Sequence, residues 1–240
     1  TIPTTGSGYN YTIDWGDGKV DSGLTGDATH EYATAGTYTV KIHGDLPRIY
    51  FNGNATYGPK LLTIEQWGSQ KWNIFSSGFD GCVNLKLNAD DIPDLSQVTQ
   101  LSSMFESCTN FEDLKDTMGS WDVSTIERID SMFTGCSIFD EDISRWTFTN
   151  LLRTDSAFEE ALVFNQNISN WNMATVTDMA YMFYNAAAFN QPVGSWTLGT
   201  VEYMTGMFYG AEAFNQDLSN WNFSQVQDIE ELFSGASSFD

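Results

Sequence analysis

The stretch WNMATVTDMAYMFYNAAAFNQ, residues Trp171 to Gln191, is one unit of a repeat. Trp121, Trp146, Trp171, Trp196 and Trp221 recur at one unvarying interval, that of a short solenoid repeat. Twelve residues after each comes Phe133, Phe158, Phe183, Phe208 or Phe233, and six further on Phe139, Phe164, Phe189, Phe214 or Phe239. The register extends backwards less evenly. Phe105 and Phe111 form the pair one slightly longer interval before Phe133 and Phe139, with Pro93 in the tryptophan position. Phe79 and Leu85 form it one interval earlier again, with Trp67 ahead of them. That gives about seven repeats of roughly 25 residues, with degenerate early ones as expected at a capping end.

Within Trp171 to Gln191, Val176, Met179, Met182, Phe183 and Ala186 fall at i, i+3, i+6, i+7 and i+10, the spacing of one helix face. Small polar residues around Thr175 and the acid Asp178 predict a helix start there. A short extended segment should follow, seen best in Phe214 to Ser219, with Leu218 inward and Ile143, Ile168 and Val193 in the matching places. A short helix and a short strand bury their apolar faces only against neighbouring copies, so the pattern predicts an α/β solenoid with parallel strands paired coil to coil.

Other columns read as structure. Cys82, Cys108 and Cys136 each follow the first phenylalanine by three residues, where later repeats have Ala161, Ala186, Ala211 and Ala236. The column asks for a small buried residue, and cysteine serves as one; a disulfide between neighbours would leave one thiol over. Asp140, Asn165, Asn190 and Asn215, followed by Glu141, Gln166, Gln191 and Gln216, suit a ladder of stacked amides at a corner.

Charge narrows the function. Ten Lys and Arg against 32 Asp and Glu give a net charge of −22, opposite to the basic footprint a nucleic-acid surface needs. From Thr154 to Asp240 there is no Lys or Arg at all. No run approaches the roughly 18–20 apolar residues that span a bilayer, so no membrane insertion is expected in this segment. Aromatic residues at 15% and hydrophobic ones at 41% supply a core. The chain opens at Thr1 without methionine and stops at Asp240 inside the repeat pattern, as expected of a piece of a longer protein.

The first fifty residues have no such period. Tyr11, Ile13 and Trp15 alternate with polar residues up to the turn Gly16-Asp17-Gly18, and Thr37 to Ile42 alternates again. Trp15 to Gly18, His30-Glu31-Tyr32 and Gly36 to Val40 together resemble the signature of PKD-type immunoglobulin-like domains of extracellular proteins. That resemblance implies a small β-sandwich-like domain, with His30 part of its packing. Asp14 and Asp17 are the acids that would suit calcium, but two carboxylates fall far short of six to eight oxygen ligands and are better read as turn formers; no cofactor and no metal site is expected.

The repeats also have a family likeness. Phe214 to Asn222, followed by Val226 and Leu232-Phe233, resembles the repeats of BspA-like leucine-rich repeat surface proteins, and Leu61 to Trp67 resembles the segment joining a PKD-like start to them. Pro93 for tryptophan, Ala157 for methionine and the lengthened third coil depart from the pattern. The expected organisation is then a PKD-like β domain over 1–52, a junction and N-terminal capping coil over 53–78, and a solenoid of leucine-rich-like repeats over 79–240, truncated at its C-terminus.

The resemblance implies an extracellular or cell-surface location and adhesion to a host, matrix or neighbouring-cell protein or glycan. The outward positions beside the predicted strand are Asp142 and Ser144, Asn167 and Ser169, Pro192 and Gly194, and Asp217 and Ser219. Asp142, Ser144, Asn167, Ser169, Asp217 and Ser219 are the candidate ligand-binding residues, small and polar, with no exposed aromatic platform evident. A passive spacer in a larger surface protein is the alternative. An enzyme is not expected, since no Ser-His-Asp or metal-ligand spacing occurs and the carboxylates have no evident cleft.

Overall fold

A computed structural model describes residues 1–240. Regular structure is confined to six short strands and three single turns of 3-10 helix; everything else is turn and loop, and there is no α-helix.

The alternation of Tyr11 and Ile13 with polar neighbours produces β1 (Asn10–Asp14), which lies between β2 (Val20–Leu24) and β3 (Lys41–Asp45), antiparallel to both. Asn10 faces Asp45 and Asp14 faces Lys41 across the β1–β3 pair. This is one three-stranded sheet, which corrects the expected sandwich. The run from Thr37 enters the sheet only at Lys41 because Tyr38 is held elsewhere. Its ring stacks on Tyr32 at 4.0 Å, and its hydroxyl donates to the Thr34 carbonyl at 2.7 Å.

A second sheet joins the early repeats. β4 (Thr63–Ile64), β5 (Lys86–Leu87) and β6 (Glu112–Asp113) pair in parallel, Thr63 with Lys86 and Lys86 with Glu112. β5 and β6 follow Leu85 and Phe111, where a strand was expected, yet later repeats have none there. Their parallel bridges run through Gln100, Arg128, Arg153, Asp178, Tyr203 and Asp228, inside the stretch expected to be helical.

Backbone hydrogen bonding explains the difference. The N–H groups of Met179, Tyr181, Phe183 and Asn185 donate to the carbonyls of Tyr203, Thr205, Met207 and Tyr209 at 2.9, 2.8, 2.9 and 2.6 Å. Between them, Met182, Tyr184 and Ala186 donate three residues back, to Met179, Tyr181 and Phe183. A helix needs consecutive N–H groups to reach the fourth preceding carbonyl, and here alternate donors belong to the next repeat. Tyr181 and Asn185 take left-handed φ of 58° and 55°, the third-residue geometry of a type II turn. The same two positions, flanking the first phenylalanine, are left-handed at Ser131 and Gly135, Ser156 and Glu160, Gly206 and Gly210, and Glu231 and Gly235.

Turns that close every three residues also bring Val176, Met179, Met182, Phe183 and Ala186 inward, all fully buried, so the apolar spacing imitates a helix face. The expected α/β solenoid of helix-plus-strand coils is therefore overturned: the chain is mostly loop, with two small sheets.

The aromatic columns supply the core. Phe158, Phe183, Phe208 and Phe233 stack in sequence with centroids 5.7, 5.6 and 5.6 Å apart. Phe164, Phe189 and Phe214 form a parallel column, and Phe183 lies 3.8 Å from Phe189 within one repeat. Trp146 and Trp171 stack at 6.3 Å. One apolar cluster runs continuously from Tyr9 to Leu232. The three cysteines are free and buried in it. Cys108 and Cys136 donate to the Phe79 and Phe105 carbonyls, and burial pushes all three thiol pKa values well up.

Candidate functional site

The corner before each tryptophan carries the candidate row. Asp142 Oδ1 accepts the Ser144 N–H at 2.9 Å, Asn167 Oδ1 that of Ser169 at 3.0 Å and Asp217 Oδ1 that of Ser219 at 2.8 Å. These are side-chain-closed turns. Where the serine position is Gly119 or Gly194, a 3-10 turn replaces them. There the backbones approach closely: a Cβ on Gly194 would lie 2.0 Å from the Asp217 carbonyl oxygen. The Asn170 amide donates to the Ser144 carbonyl at 2.8 Å, tying adjacent corners together.

All six candidate residues thus lie in one row. Asp142, Asn167, Asp217 and Ser219 are exposed, and Ser144 and Ser169 are half-buried. One side-chain oxygen of each Asp or Asn is already committed to the backbone. Hydrogen bonds from Ser144 hold the Asp142 carboxyl below the usual range, and those from Ser219 do the same for Asp217, so the row stays negatively charged near neutrality.

Beside the row is an open depression of about 260 Å³, lined in part by Asp113, Asp116, Glu141, Asp142 and Arg145. Its inner acids brace the backbone: the Asp113 carboxylate accepts the Met118 N–H at 2.6 Å, and Glu141 accepts the Asp113 N–H at 3.0 Å. Burial raises the Glu141 pKa. No group of three or more His, Cys, Asp or Glu side chains is placed to hold a metal ion. Asp14 and Asp17, the pair considered for calcium, accept the N–H groups of Gly16 and Lys19.

The amide column forms a ladder. Asn165, Asn190 and Asn215 donate their N–H groups to the side chains of Asp140, Asn165 and Asn190 at 2.8, 2.9 and 2.9 Å. Gln191 and Gln216 add side-chain donors to the Asn165 and Asn190 oxygens. His30 is also accounted for structurally. It stacks on Trp15 at 4.9 Å, meets Tyr32 edge-on and pairs through Nε2 with Asp17 at 2.9 Å.

A second exposed surface escaped the sequence reading. The turn position one residue after the first phenylalanine carries the half-buried Glu159, Tyr184 and Tyr209 in successive repeats, and the position two before it carries the half-buried Ser156, the exposed Tyr181, the buried Gly206 and the exposed Glu231. The Tyr184 and Tyr209 rings stack at 4.6 Å, 11° from parallel, with Tyr181 edge-on to Tyr184 at 5.8 Å. Gly206 makes room: a Cβ there would fall 2.8 Å from Cε1 of Tyr181. The usable signal was a pair of tyrosines exactly one repeat apart, with a third just ahead of the first. A helical reading also places Tyr181 and Tyr184 outward, three residues apart and opposite the Val176, Met179 and Met182 face.

One family model matches residues 73–175 and again 149–240; its description is Mycoplasma protein of unknown function, DUF285. The chain belongs to the DUF285 family. The two matches overlap over residues 149–175 and together take in every repeat from Phe79 onwards. No curated protein and no solved structure matches the chain. The DUF285 description specifies no activity or ligand. No helix of this family member is long and apolar enough to cross a membrane.

Proposed function

We propose that this DUF285 segment is a non-enzymatic binding module of an extracellular or cell-surface protein. In this reading it engages a host, matrix or neighbouring-cell protein, peptide or glycan through the exposed face of its repeats. One observation carries the reading. The position two before the first phenylalanine changes from the half-buried Ser131 and Ser156 to the exposed Tyr181, the buried Gly206 and the exposed Glu231, while the aromatic columns keep their type. A surface that varies over an unchanging core is what a recognition protein built from repeats requires. The resemblance to BspA-like and PKD-type surface proteins and the charge of −22 support the location and disfavour nucleic acid as a partner.

Passive spacing of another domain is the second reading, favoured by the use of Asp142, Asn167 and Asp217 as turn braces. Intact chain tested on a glycan array and a panel of matrix proteins separates the two. A binding module gives saturable binding, and charge reversal at Asp142 and Asp217 reports whether their row contributes. Blank arrays and panels for the folded chain would favour the spacer.

A further inference from the structure

The ten tyrosines fall into two groups. The hydroxyls of Tyr9, Tyr11, Tyr32 and Tyr38 donate to the carbonyls of Thr5, Gly26, Trp15 and Thr34. Tyr50 and Tyr57 have a cation over the ring, Arg48 at 4.3 Å and Lys60 at 5.9 Å. Tyr181, Tyr184, Tyr203 and Tyr209 have neither kind of partner, and no Lys or Arg follows Arg153 in the sequence to provide one.

Three of these four gather on the turn surface described above. Tyr181 is 39% exposed, and Tyr184 and Tyr209, each covering one face of the other, are half-buried. Glu159 and Glu160 lie in the preceding repeat and Glu231 in the following one, and no basic side chain neutralises them. Partial desolvation, Tyr209 and these three glutamates together raise the pKa of the Tyr184 phenol.

We propose that Tyr181, Tyr184 and Tyr209, flanked by Glu159, Glu160 and Glu231, form a docking patch for a lysine- or arginine-bearing peptide segment of a partner protein. Aromatic faces and carboxylates both attract a guanidinium or ammonium group, the rings through their quadrupole and the acids through their charge. The chain satisfies Tyr50 and Tyr57 in that way from its own residues. A neutral glycan would use the rings but gain nothing from the uncompensated acids, so charge complementarity favours the cationic peptide. The inference rests on the reading of the chain as a binding module and names a site and a ligand class within it.

The test is calorimetric titration of the intact chain with a Gly-Arg repeat decapeptide, in parallel with its Gly-citrulline counterpart and a neutral chito-oligosaccharide. The variants are Tyr184→Thr with Tyr209→Ser, and Tyr181→Ser alone. Thr134 and Ser234 stand in the Tyr184 and Tyr209 column and Ser156 in that of Tyr181, so the repeats already accept these side chains. Circular dichroism and the melting temperature verify folding. A third variant, Glu159→Gln with Glu160→Gln and Glu231→Gln, probes the acids without touching the rings.

The expected result at about 150 mM salt is saturable binding of the arginine peptide alone. The Tyr184/Tyr209 double variant, whose net charge is unchanged, should bind about ten-fold more weakly. Equal binding by the tyrosine variants, governed by salt only, would reduce the effect to diffuse charge and overturn the patch. Preference for the oligosaccharide would replace the proposal with a glycan site. No binding of the peptide, alongside saturable binding to a matrix protein or glycan that the tyrosine variants retain, would refute the patch and leave the binding-module reading standing. Peptide binding lost in the tyrosine variants, with blank arrays and panels, would separate the two in the opposite sense.

Discussion

Strands β1–β3 and the repeats from Trp121 onwards meet one requirement, the pairing of backbone donors, in different ways. In the sheet each strand borrows its partners sideways from a strand folded back beside it, and side-chain alternation decides which face is buried. In the repeats alternate N–H groups close a local turn and the rest reach into the next unit. A sheet of this kind tolerates almost any residue with extended backbone. A turn of this kind needs left-handed positions at fixed places and close approach at others. Aromatic spacing alone therefore specifies which residues stack, while the turn residues decide what the chain does between them.

The largest effect should come from breaking an aromatic column in its interior. Phe183 is fully buried between Phe158 and Phe208, so Phe183→Ala should cost about 3–5 kcal/mol in chemical denaturation. Phe233 has a ring neighbour in its column on one side only and is half-exposed. Phe233→Ala should cost less than about half as much, since less area leaves water. Equal losses would show that the columns do not act as neighbour-to-neighbour units.

Next is the close approach at the corner. Gly194→Ala places a methyl group 2.0 Å from the Asp217 carbonyl oxygen and must push two repeats apart. A loss of about 1–3 kcal/mol is expected. Gly199→Ala, where the nearest atom would be 3.6 Å away, should be close to neutral in the same assay.

These positions also show how far the sequence could be read. The Trp and Phe columns, the Cys/Ala column and the amide ladder were legible because each answers a packing or hydrogen-bonding need that recurs with the period. That the chain forms turns and no helix was not, because Met173, Val176, Met179 and Met182 are three apart and suit both a helix face and a series of three-residue turns. The residues that separate the two are Gly135, Gly206, Gly210 and Gly235, which recur two positions from the first phenylalanine where a helix would disfavour them. Of the outward row, Asp142, Asn167, Asp217 and Ser219 were legible as exposed, whereas Ser144 and Ser169 are half-buried and Gly194 is buried. The row's commitment to turn closure was not legible, since that depends on a bond to the N–H two residues on.

A third substitution pair has opposite expected signs in the two regions. Ser131 is held at φ 54°, a conformation that costs a side-chain-bearing residue about 1 kcal/mol relative to glycine. Ser131→Gly should therefore stabilise the chain by roughly that amount. Thr12→Gly, in the middle of β1 opposite His43, should destabilise it by about 0.5–1 kcal/mol, because glycine loses more entropy in a strand. Thermal melts of the two variants side by side read the sign directly, and destabilisation by Ser131→Gly would contradict the assigned backbone geometry at Ser131.

A further comparison separates the regions by pH. In the repeats, burial and the neighbouring Glu106 push Asp80 up to about 6. Its folded value exceeds the unfolded one of about 3.9, so the folded chain holds this proton more tightly. The stability it contributes is complete below about pH 4 and is lost as pH rises towards about 6. In the N-terminal sheet region, the hydrogen bond from His30 lowers the Asp17 pKa. Its contribution is present above the unfolded value and is lost as pH falls through the folded one. Asp80→Asn should accordingly raise the melting temperature at pH 7 and leave it nearly unchanged at pH 4, whereas Asp17→Asn should lower it at pH 7, the gap closing on acidification. A melting-temperature series from pH 7 to pH 3 on both variants makes the comparison, and shifts in the same direction at pH 7 would mean that the two carboxylates do not sit in the contrasting surroundings that Glu106 and His30 create.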